Sequence, residues 1–334
     1  MNKNDFKIVL TFLLSATILL IFTFTYPYIK TSSVNNTIYV EEGSTVKNIA
    51  ETLYEKKIIY NKTYFYIVTY FNNAEKKLKA GMYRIPNKIS YIDLVNIFIK
   101  GGKNRLVKVT IPEGIWLPDL AGLLASKMKL DSTKIMNLAK DVEFIKSLRI
   151  DTDNLEGYLL PETYYFDKNM NEEKVLSFLV KQNENIFDSI NIEKMKKLKM
   201  NRHSVLTLAS IIDGESNSFD EFENISSVYH NRLKRGMMLQ ADPTIQYILR
   251  AERPKRILYK HLEINSPYNT YKKFGLPPSP INNPGKQAIL AALNPAVTNY
   301  YYFVAEKNGR HKFATTLSEH NRNVLIYRQM MRNN

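Results

Sequence analysis

The 334-residue sequence contains no cysteine, which excludes both a disulfide framework and a thiolate metal site. Lack of cysteine fits a cell-envelope protein made without disulfides, although cytosolic proteins can lack cysteine as well. The sequence also has neither a Gly-rich phosphate-binding loop nor a Gly-x-Ser-x-Gly nucleophile motif. Two common kinds of active site, the phosphate cradle and the serine nucleophile elbow, therefore find no support.

Histidine is scarce, and its spacing does not favour a metal site. No two of the five histidines stand at the i, i+4 spacing of a helical zinc site. We interpret them as surface or core side chains, and we predict no metal and no other cofactor. The five are His203, His230, His261, His311 and His320.

The net charge of +15 raises the question of nucleic-acid binding. The basic residues are spread along the chain, as in Lys76-Lys77 and Lys196-Lys197, and form no stripe interleaved with glycine or aromatic residues. We interpret the charge as a solvated surface that tolerates or attracts anionic lipid head groups and anionic wall polymers. We therefore predict no nucleic-acid partner.

The run from Ile8 to Tyr26 contains no charged residue and is dominated by Leu, Ile, Phe and Val. As a helix, its nineteen residues would span about 28 Å, close to the thickness of a hydrocarbon core. A cleaved signal peptide is the alternative, but its apolar part is typically about 7–15 residues long and ends in small residues. This run is longer and ends in Thr25-Tyr26-Pro27-Tyr28, which favours a retained membrane anchor.

The charges that flank this run predict its orientation. Lys3, Lys7 and the amino terminus precede it, against Asp5, so the positive-inside rule places the short tail in the cytoplasm. No second run of this kind follows, so we expect everything after Lys30 on the extracytoplasmic side. Residues 1–30 are thus predicted to be a cytoplasmic tail and a single-pass anchor in the cytoplasmic (inner) membrane, with the lipid bilayer as a partner.

A small unit follows the anchor and a polar linker. Thr37–Val40 is predicted to be a strand, and Ser44 the N-cap of a first helix. A second helix around Tyr64–Tyr70, a short strand at Gly81–Ile85 and a third helix at Tyr91–Ile99 come next. The pattern predicts a compact strand–helix–helix–strand unit of about sixty residues, near the lower limit for an independent core.

Residues 204–217 predict a helix with one buried stripe, made by apolar residues at i, i+3, i+4 and i+7. The stripe consists of Val205, Leu208, Ala209 and Ile212. Glu215 stands three residues after the last of these, so it continues the stripe. Asp213 is displaced from Glu215 by about 200° around the helix, so the two carboxylates cannot share a face.

The position of Glu215 allows two interpretations. Burial at the C-terminal end of a helix disfavours the charged carboxylate, through desolvation and the negative end of the helix dipole. Both effects raise the pKa of Glu215, as a general acid requires. The alternative is a structural glutamate neutralised by an arginine, for which Arg232 is the candidate. Periodicity alone favours neither.

Two further segments carry polar groups in turns. Glu156 and Glu162 flank a Gly and a Pro, in a segment that we predict to be a loop of fixed geometry. After a helix that Gly236 ends, Gln240 and Asp242 lie in a turn whose donors and acceptors suit a hydroxyl-rich sugar. The structural alternative makes Asp242 the N-cap of a helix that begins at the following proline.

These segments resemble the MltG (YceG-like) endolytic murein transglycosylase family, strongly from about 155 to 321. The matching motifs, in family order, are Glu156-Gly157-Tyr158, Pro161-Glu162-Thr163-Tyr164, Ala209-Ser210-Ile211-Ile212-x-x-Glu215, Asn231-Arg232-Leu233, Gly236-Met237-x-Leu239-Gln240, Asp242-Pro243-Thr244, Ser266-Pro267-Tyr268-Asn269-Thr270-Tyr271, Gly275-Leu276-Pro277-Pro278, Asn283-Pro284-Gly285, Tyr302-Phe303-Val304-Ala305, His311-x-Phe313 and Glu319-His320-Asn321. Each motif alone is weak evidence for the family, but this many motifs in the family's order are specific to it.

The resemblance implies an α+β fold: the transmembrane helix, a small LysM-like domain with its linker at 31–102, and a mixed α+β catalytic domain at 103–334. It also implies a lyase that cuts nascent peptidoglycan glycan strands internally, between N-acetylmuramic acid and N-acetylglucosamine. The products carry 1,6-anhydro-muramoyl ends, and such cleavage would terminate strand elongation. Peptidoglycan synthases are the further partners that the family implies.

The family's catalytic glutamate falls on Glu215, the residue that the helical stripe selects. For orienting sugar hydroxyls, amides or the acid itself, the matching motifs suggest Glu156, Glu162, Arg232, Gln240, Asp242 and Asn269. Asp213 stands where relatives often carry Glu or Gln, and Gly214 where they often carry a charged residue. The alternative from another functional class is a catalytically inactive peptidoglycan-binding scaffold, in which the acid would be expected to have been lost.

Overall fold

The computed structural model describes residues 7–15, 29–30, 37–41, 43–101, 106–254, 256–306 and 309–332. The chain divides into two compact units, Met1–Val107 with Asp167–Asn169, and Lys108–Phe166 with Met170–Asn334. The division into a LysM-like domain at 31–102 and a catalytic domain at 103–334 stays a prediction.

The first helix, α1, covers residues 7–15, and its side chains are exposed. The predicted membrane anchor extends from here into residues 16–28, which lie outside the described residues. Among the helices that the structure does describe, none combines the length and the apolar character needed to cross a bilayer. The anchor therefore stays a prediction.

The first unit contains the predicted strand–helix–helix–strand order. Strand β2 (Thr37–Val40) pairs antiparallel with β3 (Gly81–Arg84), and α2 (Val46–Glu55) and α3 (Lys62–Phe71) lie between them in the sequence. The short strands β1 (Ile29–Lys30) and β4 (Lys88–Ile89) form a second antiparallel pair, and α4 (Tyr91–Lys100) follows. In its core, the rings of Phe65 and Phe98 meet edge to face with their centroids 6.1 Å apart.

The predicted N-cap of α2 is wrong by one residue. Thr45 is the N-cap, and its side chain accepts a hydrogen bond from the Asn48 N–H. Ser44 instead closes the preceding turn, because its N–H donates to the Glu41 carbonyl at 3.1 Å. A hydroxyl residue in a turn and one at a helix start have the same sequence signature, so the pattern could not separate them.

The second unit is mainly helical and carries two two-stranded sheets, which confirms the predicted mixed α+β class. The sheets pair β5 with β6, and β7 with β8. Its elements are β5 (Leu106–Thr110), α5 (Leu117–Met128), α6 (Ser132–Leu138), α7 (Val142–Ser147), β6 (Thr163–Asp167), α8 (Glu172–Glu184), α9 (Ser189–Leu198), α10 (Arg202–Glu215), a 3-10 turn (Phe219–Glu221), α11 (Phe222–Arg235), α12 (Asp242–Ile248), α13 (Tyr259–Leu262), α14 (Lys286–Leu293), β7 (Tyr302–Ala305), β8 (His311–Ala314) and α15 (Leu317–Arg332).

Helix α10 is the central element of this unit. Asn201 caps it by accepting a hydrogen bond from the Ser204 N–H, and it packs against α11, α12 and α14. Every residue from 205 to 212 is buried, so the helix is covered on all sides and not only along the predicted stripe. The helix ends at Glu215, because Ser216 has an extended backbone with φ −147°. A helix that is buried along its middle two turns thus places Glu215 at its end.

Candidate active site

Glu215 contacts the neighbouring helix through a partly buried hydrogen bond. The hydroxyl of Tyr229 in α11 donates to Oε1 of Glu215. Tyr229 is only 1% exposed, and it belongs to the buried face of α11 together with Val228 and Arg232. The face of α11 that packs on α10 therefore brings the hydroxyl of Tyr229 to the C-terminal end of α10.

Burial raises the pKa of Glu215 to about 7, and three neighbours modify it. The hydrogen bond from Tyr229 and the positive charge of Arg232 favour the carboxylate and lower the pKa, whereas the negative charge of Asp242 raises it. A carboxyl group with a pKa near 7 is largely protonated below neutral pH and can give up its proton near neutrality. Glu215 therefore has the protonation behaviour of a general acid.

Arg232 does not form the ion pair with Glu215 that the structural interpretation requires. Its Nε donates to the carbonyl of Tyr301 at 2.7 Å, and its Nη1 donates to the carbonyl of Leu239 at 2.6 Å. The guanidinium also lies 5.4 Å from the ring centroid of Tyr302. Arg232 thus joins α11 to β7 and to the segment before α12, and acts on Glu215 only through its charge.

Asp242 is the first residue of α12, and the prediction that it is the N-cap is wrong. The N-cap is Ala241, which has no side-chain cap hydrogen bond. The Asp242 carboxylate is turned to another partner, because its Oδ1 accepts a hydrogen bond of 2.6 Å from the hydroxyl of Tyr271. Asp242 is exposed, so this carboxylate remains accessible to a ligand beside Glu215.

Asn269 and Gln240 lie in the two segments that support this arrangement. Asn269 is fully buried, its Nδ2 donates to two backbone carbonyls, and its Oδ1 accepts from the Tyr271 N–H at 3.0 Å. Gln240 is exposed, and its N–H donates to the carbonyl of Thr270 at 3.0 Å. Thr270 also accepts from the Ala241 N–H through its hydroxyl, so the two segments are joined where Asp242 begins its helix.

Glu156 and Glu162 lie apart from the groups that act on Glu215. Glu156 is 3% exposed, and its Oε1 accepts from the Leu117 N–H at 2.8 Å and from the Asn283 Nδ2 at 3.1 Å. Burial raises the pKa of Glu156 to about 7. Glu162 is exposed and accepts from the N–H of Thr163 at 3.1 Å. Of the seven predicted site residues, the structure therefore groups Glu215, Arg232 and Asp242.

Asp213 lies on the other face of α10, as its spacing from Glu215 predicts. Its Oδ1 accepts a hydrogen bond from the Gly285 N–H at 3.1 Å. Burial and the charge of Glu113 raise its pKa to about 7, and burial and the charge of Glu162 raise the pKa of Glu113. Sequence reasoning did not select Glu113, which has no periodic pattern and reaches Asp213 only through the tertiary fold.

A cavity of about 520 Å³ opens at this second face. Its lining combines carboxylates, amides and aromatic rings, among them Glu113, Trp116, Asp213, Asn217, Phe219 and Gln246. Gly214 and Ser216, which flank Glu215 in the sequence, and Pro243, which follows Asp242, also line the cavity. The cavity therefore reaches the backbone on both sides of Glu215, although the Glu215 side chain does not line it, and its polar groups and rings suit a hydroxyl-rich ligand.

Gly214 permits the close approach of α12 to the end of α10. A Cβ atom at this position would lie 2.7 Å from Cβ of Pro243. A side chain at this position, where many relatives are expected to carry one, would therefore have to displace Pro243 and with it the start of α12. In the part of the chain that the structure describes, no three His, Asp or Glu side chains are grouped so that they could hold a metal ion.

The model of the YceG-like family matches residues 38–325. A Bacillus subtilis (strain 168) protein named endolytic murein transglycosylase is 34% identical over 312 residues, which cover 89% of this chain and 86% of that protein. A Streptococcus pneumoniae (strain D39) protein of the same name is 31% identical over 86% of this chain, which spans 57% of the pneumococcal protein. The crystal structure of a yceG-like protein from Listeria monocytogenes, 34% identical, covers 86% of this chain and 97% of its own with a TM-score of 0.61.

Proposed function

Because the chain belongs to the YceG-like family, we propose that it is an endolytic murein transglycosylase. Its substrate is the glycan strand of peptidoglycan, which it cuts internally between N-acetylmuramic acid and N-acetylglucosamine to leave 1,6-anhydro-muramoyl ends. The observation that carries this proposal is Glu215, a carboxyl group with a raised pKa at the end of a buried helix, between two residues, Gly214 and Ser216, that line a polar cavity.

One carboxyl group is sufficient for this reaction. Protonated Glu215 gives its proton to the glycosidic oxygen, the bond from that oxygen to C1 of the N-acetylmuramic acid breaks, and the fragment that keeps the oxygen leaves as an alcohol. The carboxylate of Glu215 then takes the proton from the C6 hydroxyl of the same sugar, whose oxygen bonds to C1 and closes the anhydro ring. Hydrolytic glycosidases need two carboxyl groups and a water, whereas here the sugar supplies its own nucleophile.

The surrounding residues divide into three groups. Asp242 and Tyr271 lie where they can contact a sugar ring beside Glu215, and the cavity lined by Asp213 receives the continuing strand. Arg232, Gln240 and Asn269 act through the backbone segments that they hold. Glu156 and Glu162 shape the loop and the charge on the Asp213 side.

The same proposal includes a membrane location. The uncharged run of residues 8–26 anchors the chain in the cytoplasmic membrane, with its amino terminus in the cytoplasm and everything after Lys30 outside. The first unit acts as a LysM-like glycan-binding domain, an assignment supported by its strand–helix–helix–strand order. Peptidoglycan synthases that extrude the nascent strand are the expected partners, because the anchor would keep the acid near the site of synthesis.

The test is digestion of long, uncrosslinked glycan strands by the purified chain, with product ends identified by mass spectrometry. Internal fragments with anhydro ends are expected from the wild type, and Glu215→Gln should lose the activity by at least about a hundredfold. Reducing ends that carry an added water would instead mean a hydrolase. Strand binding without cleavage by the wild type would favour the inactive scaffold.

A further inference from the structure

We propose that Tyr229 is a positioning residue, whose hydroxyl engages Oε1 of Glu215 and leaves Oε2 as the oxygen that exchanges a proton with the glycan. This inference deepens the proposed function and rests on it for its chemical meaning.

The contact between Tyr229 and Glu215 is fixed by packing on both sides. The Tyr229 hydroxyl donates to Oε1, and its ring meets Phe303 of β7 edge to face with centroids 6.0 Å apart. Glu215 ends a helix whose preceding turns are buried. A phenol that is 1% exposed cannot follow a rotating carboxyl group, so the carboxyl plane is held by the tyrosine.

This hydrogen bond determines where the exchangeable proton lies. A carboxylic acid accepts a hydrogen bond best at its carbonyl oxygen, so donation from Tyr229 to Oε1 places the acid proton on Oε2. Burial raises the pKa of Tyr229 well above its ordinary value of 10, so the phenol keeps its proton. Tyr229 therefore donates to Oε1 both before and after Glu215 has given up its proton.

Four charged or titratable groups face the Glu215 carboxyl group, and they act in opposite directions. Tyr229 and Arg232 on α11 favour its carboxylate, whereas Asp242 on α12 disfavours it. Tyr271, from the segment packed on α12, donates to Asp242, and burial together with the negative charges of Asp242 and Glu215 raises the pKa of this tyrosine. Removing the Tyr229 hydroxyl and removing the Asp242 charge should therefore shift the pKa of Glu215 in opposite senses.

The experiment compares the pH dependence of kcat/KM for wild type, Tyr229→Phe and Asp242→Asn in the full chain. The acid must be protonated, so the rate falls as pH rises through the Glu215 pKa, which is about 7. We expect Tyr229→Phe to move this falling limb up by about one pH unit and Asp242→Asn to move it down. Tyr229→Phe should also lower kcat about tenfold or more, because the carboxyl group loses its fixed plane.

Tyr91→Phe is the matched control. Tyr91 is also 1% exposed and its hydroxyl donates to a backbone carbonyl, that of Asn61 at 3.2 Å, but it lies in the first unit. It should cost some stability and leave the pH profile unchanged. A Tyr229→Phe profile and kcat that superimpose on those of the wild type, or a shift in the same direction as Asp242→Asn, would overturn the inference.

Two further measurements separate this inference from the proposed function and from misfolding. The carboxyl ¹³C resonance of Glu215, assigned by its absence in Glu215→Gln, can be titrated without turnover. Its pKa should rise in Tyr229→Phe even if no glycan is cleaved, and an unchanged pKa would refute the positioning role. If Tyr229→Phe does not fold, 3-fluorotyrosine placed at 229 keeps the ring and strengthens the donor. The Glu215 pKa should then fall, and a rise would contradict the inference.

Discussion

Asn283→Ala should destabilise the second unit more than any other change of a single amide side chain discussed above. Asn283 is fully buried, and its side chain makes four hydrogen bonds. Its Oδ1 accepts from the N–H groups of Gly157 at 2.9 Å and Leu159 at 3.2 Å. Its Nδ2 donates to the carbonyl of Ile115 and to Oε1 of Glu156, both at 3.1 Å.

The alanine variant leaves two buried backbone N–H groups without this acceptor and removes one of the two donors to a buried carboxyl group. Each buried polar group left unsatisfied costs about 1–3 kcal/mol. Some relaxation and water entry will recover part of this loss. We therefore expect a decrease of about 3–5 kcal/mol in the free energy of unfolding, a large share of the roughly 5–15 kcal/mol of an ordinary domain.

Urea unfolding, monitored by the fluorescence of Trp116, measures this change. Trp116 is the single tryptophan, and it directly follows Ile115, whose carbonyl Asn283 contacts. Asn294→Ala is the control, since Asn294 is half-buried and its side chain donates one hydrogen bond, to the carbonyl of Leu290. The control should lose no more than about 1 kcal/mol. If the two variants unfold at the same urea concentration, the hydrogen bonds of Asn283 do not stabilise the fold as we argue.

Three further changes have definite expected outcomes. Gly157→Ala should lower the melting temperature by several degrees, because Gly157 has φ +85° and a methyl group there would overlap the Pro280 ring; a wild-type melting curve would contradict this. Cleavage should survive EDTA, and loss of activity that zinc restores would show a metal requirement. A periplasmic-type reporter fused after Asn334 should be active, whereas activity of a cytoplasmic reporter at the same place would reverse the proposed orientation.

The sequence predicts those parts of the fold that local spacing controls. The strand at Thr37–Val40 has the bounds expected. Helix α10, which carries Glu215, covers Arg202–Glu215, so each of its ends lies two residues before the predicted limits of 204 and 217. The separation of Asp213 from Glu215 also follows from helical geometry alone. These features depend on neighbours within one or two turns, and the pattern of apolar residues contains that information.

The partners of the buried polar side chains depend on contacts that are distant in the sequence. Glu156 bonds to Leu117, 39 residues away, and Asn283 to Gly157, 126 residues away, and no local pattern records either contact. Tyr229 lies on the buried face of α11, and a buried tyrosine needs a partner for its hydroxyl. The requirement for a hydrogen-bond partner, together with the packing of α11 on α10, is the only feature from which the contact between Tyr229 and Glu215 could have been predicted.

The contact between Gly214 and Pro243 makes the strength of the acid depend on a residue that carries no charge. The backbone of α10 at Gly214 lies against the Pro243 ring of α12. A helix backbone and a proline ring are both stiff, so the distance between Glu215 and Asp242 changes little with thermal motion. A larger residue at 214 would wedge α12 outward and carry Asp242 away from Glu215. The acid would then become stronger, and its working pH range would move downward. Volume at position 214 is thus a means of setting the pH optimum without changing any group that touches the glycan.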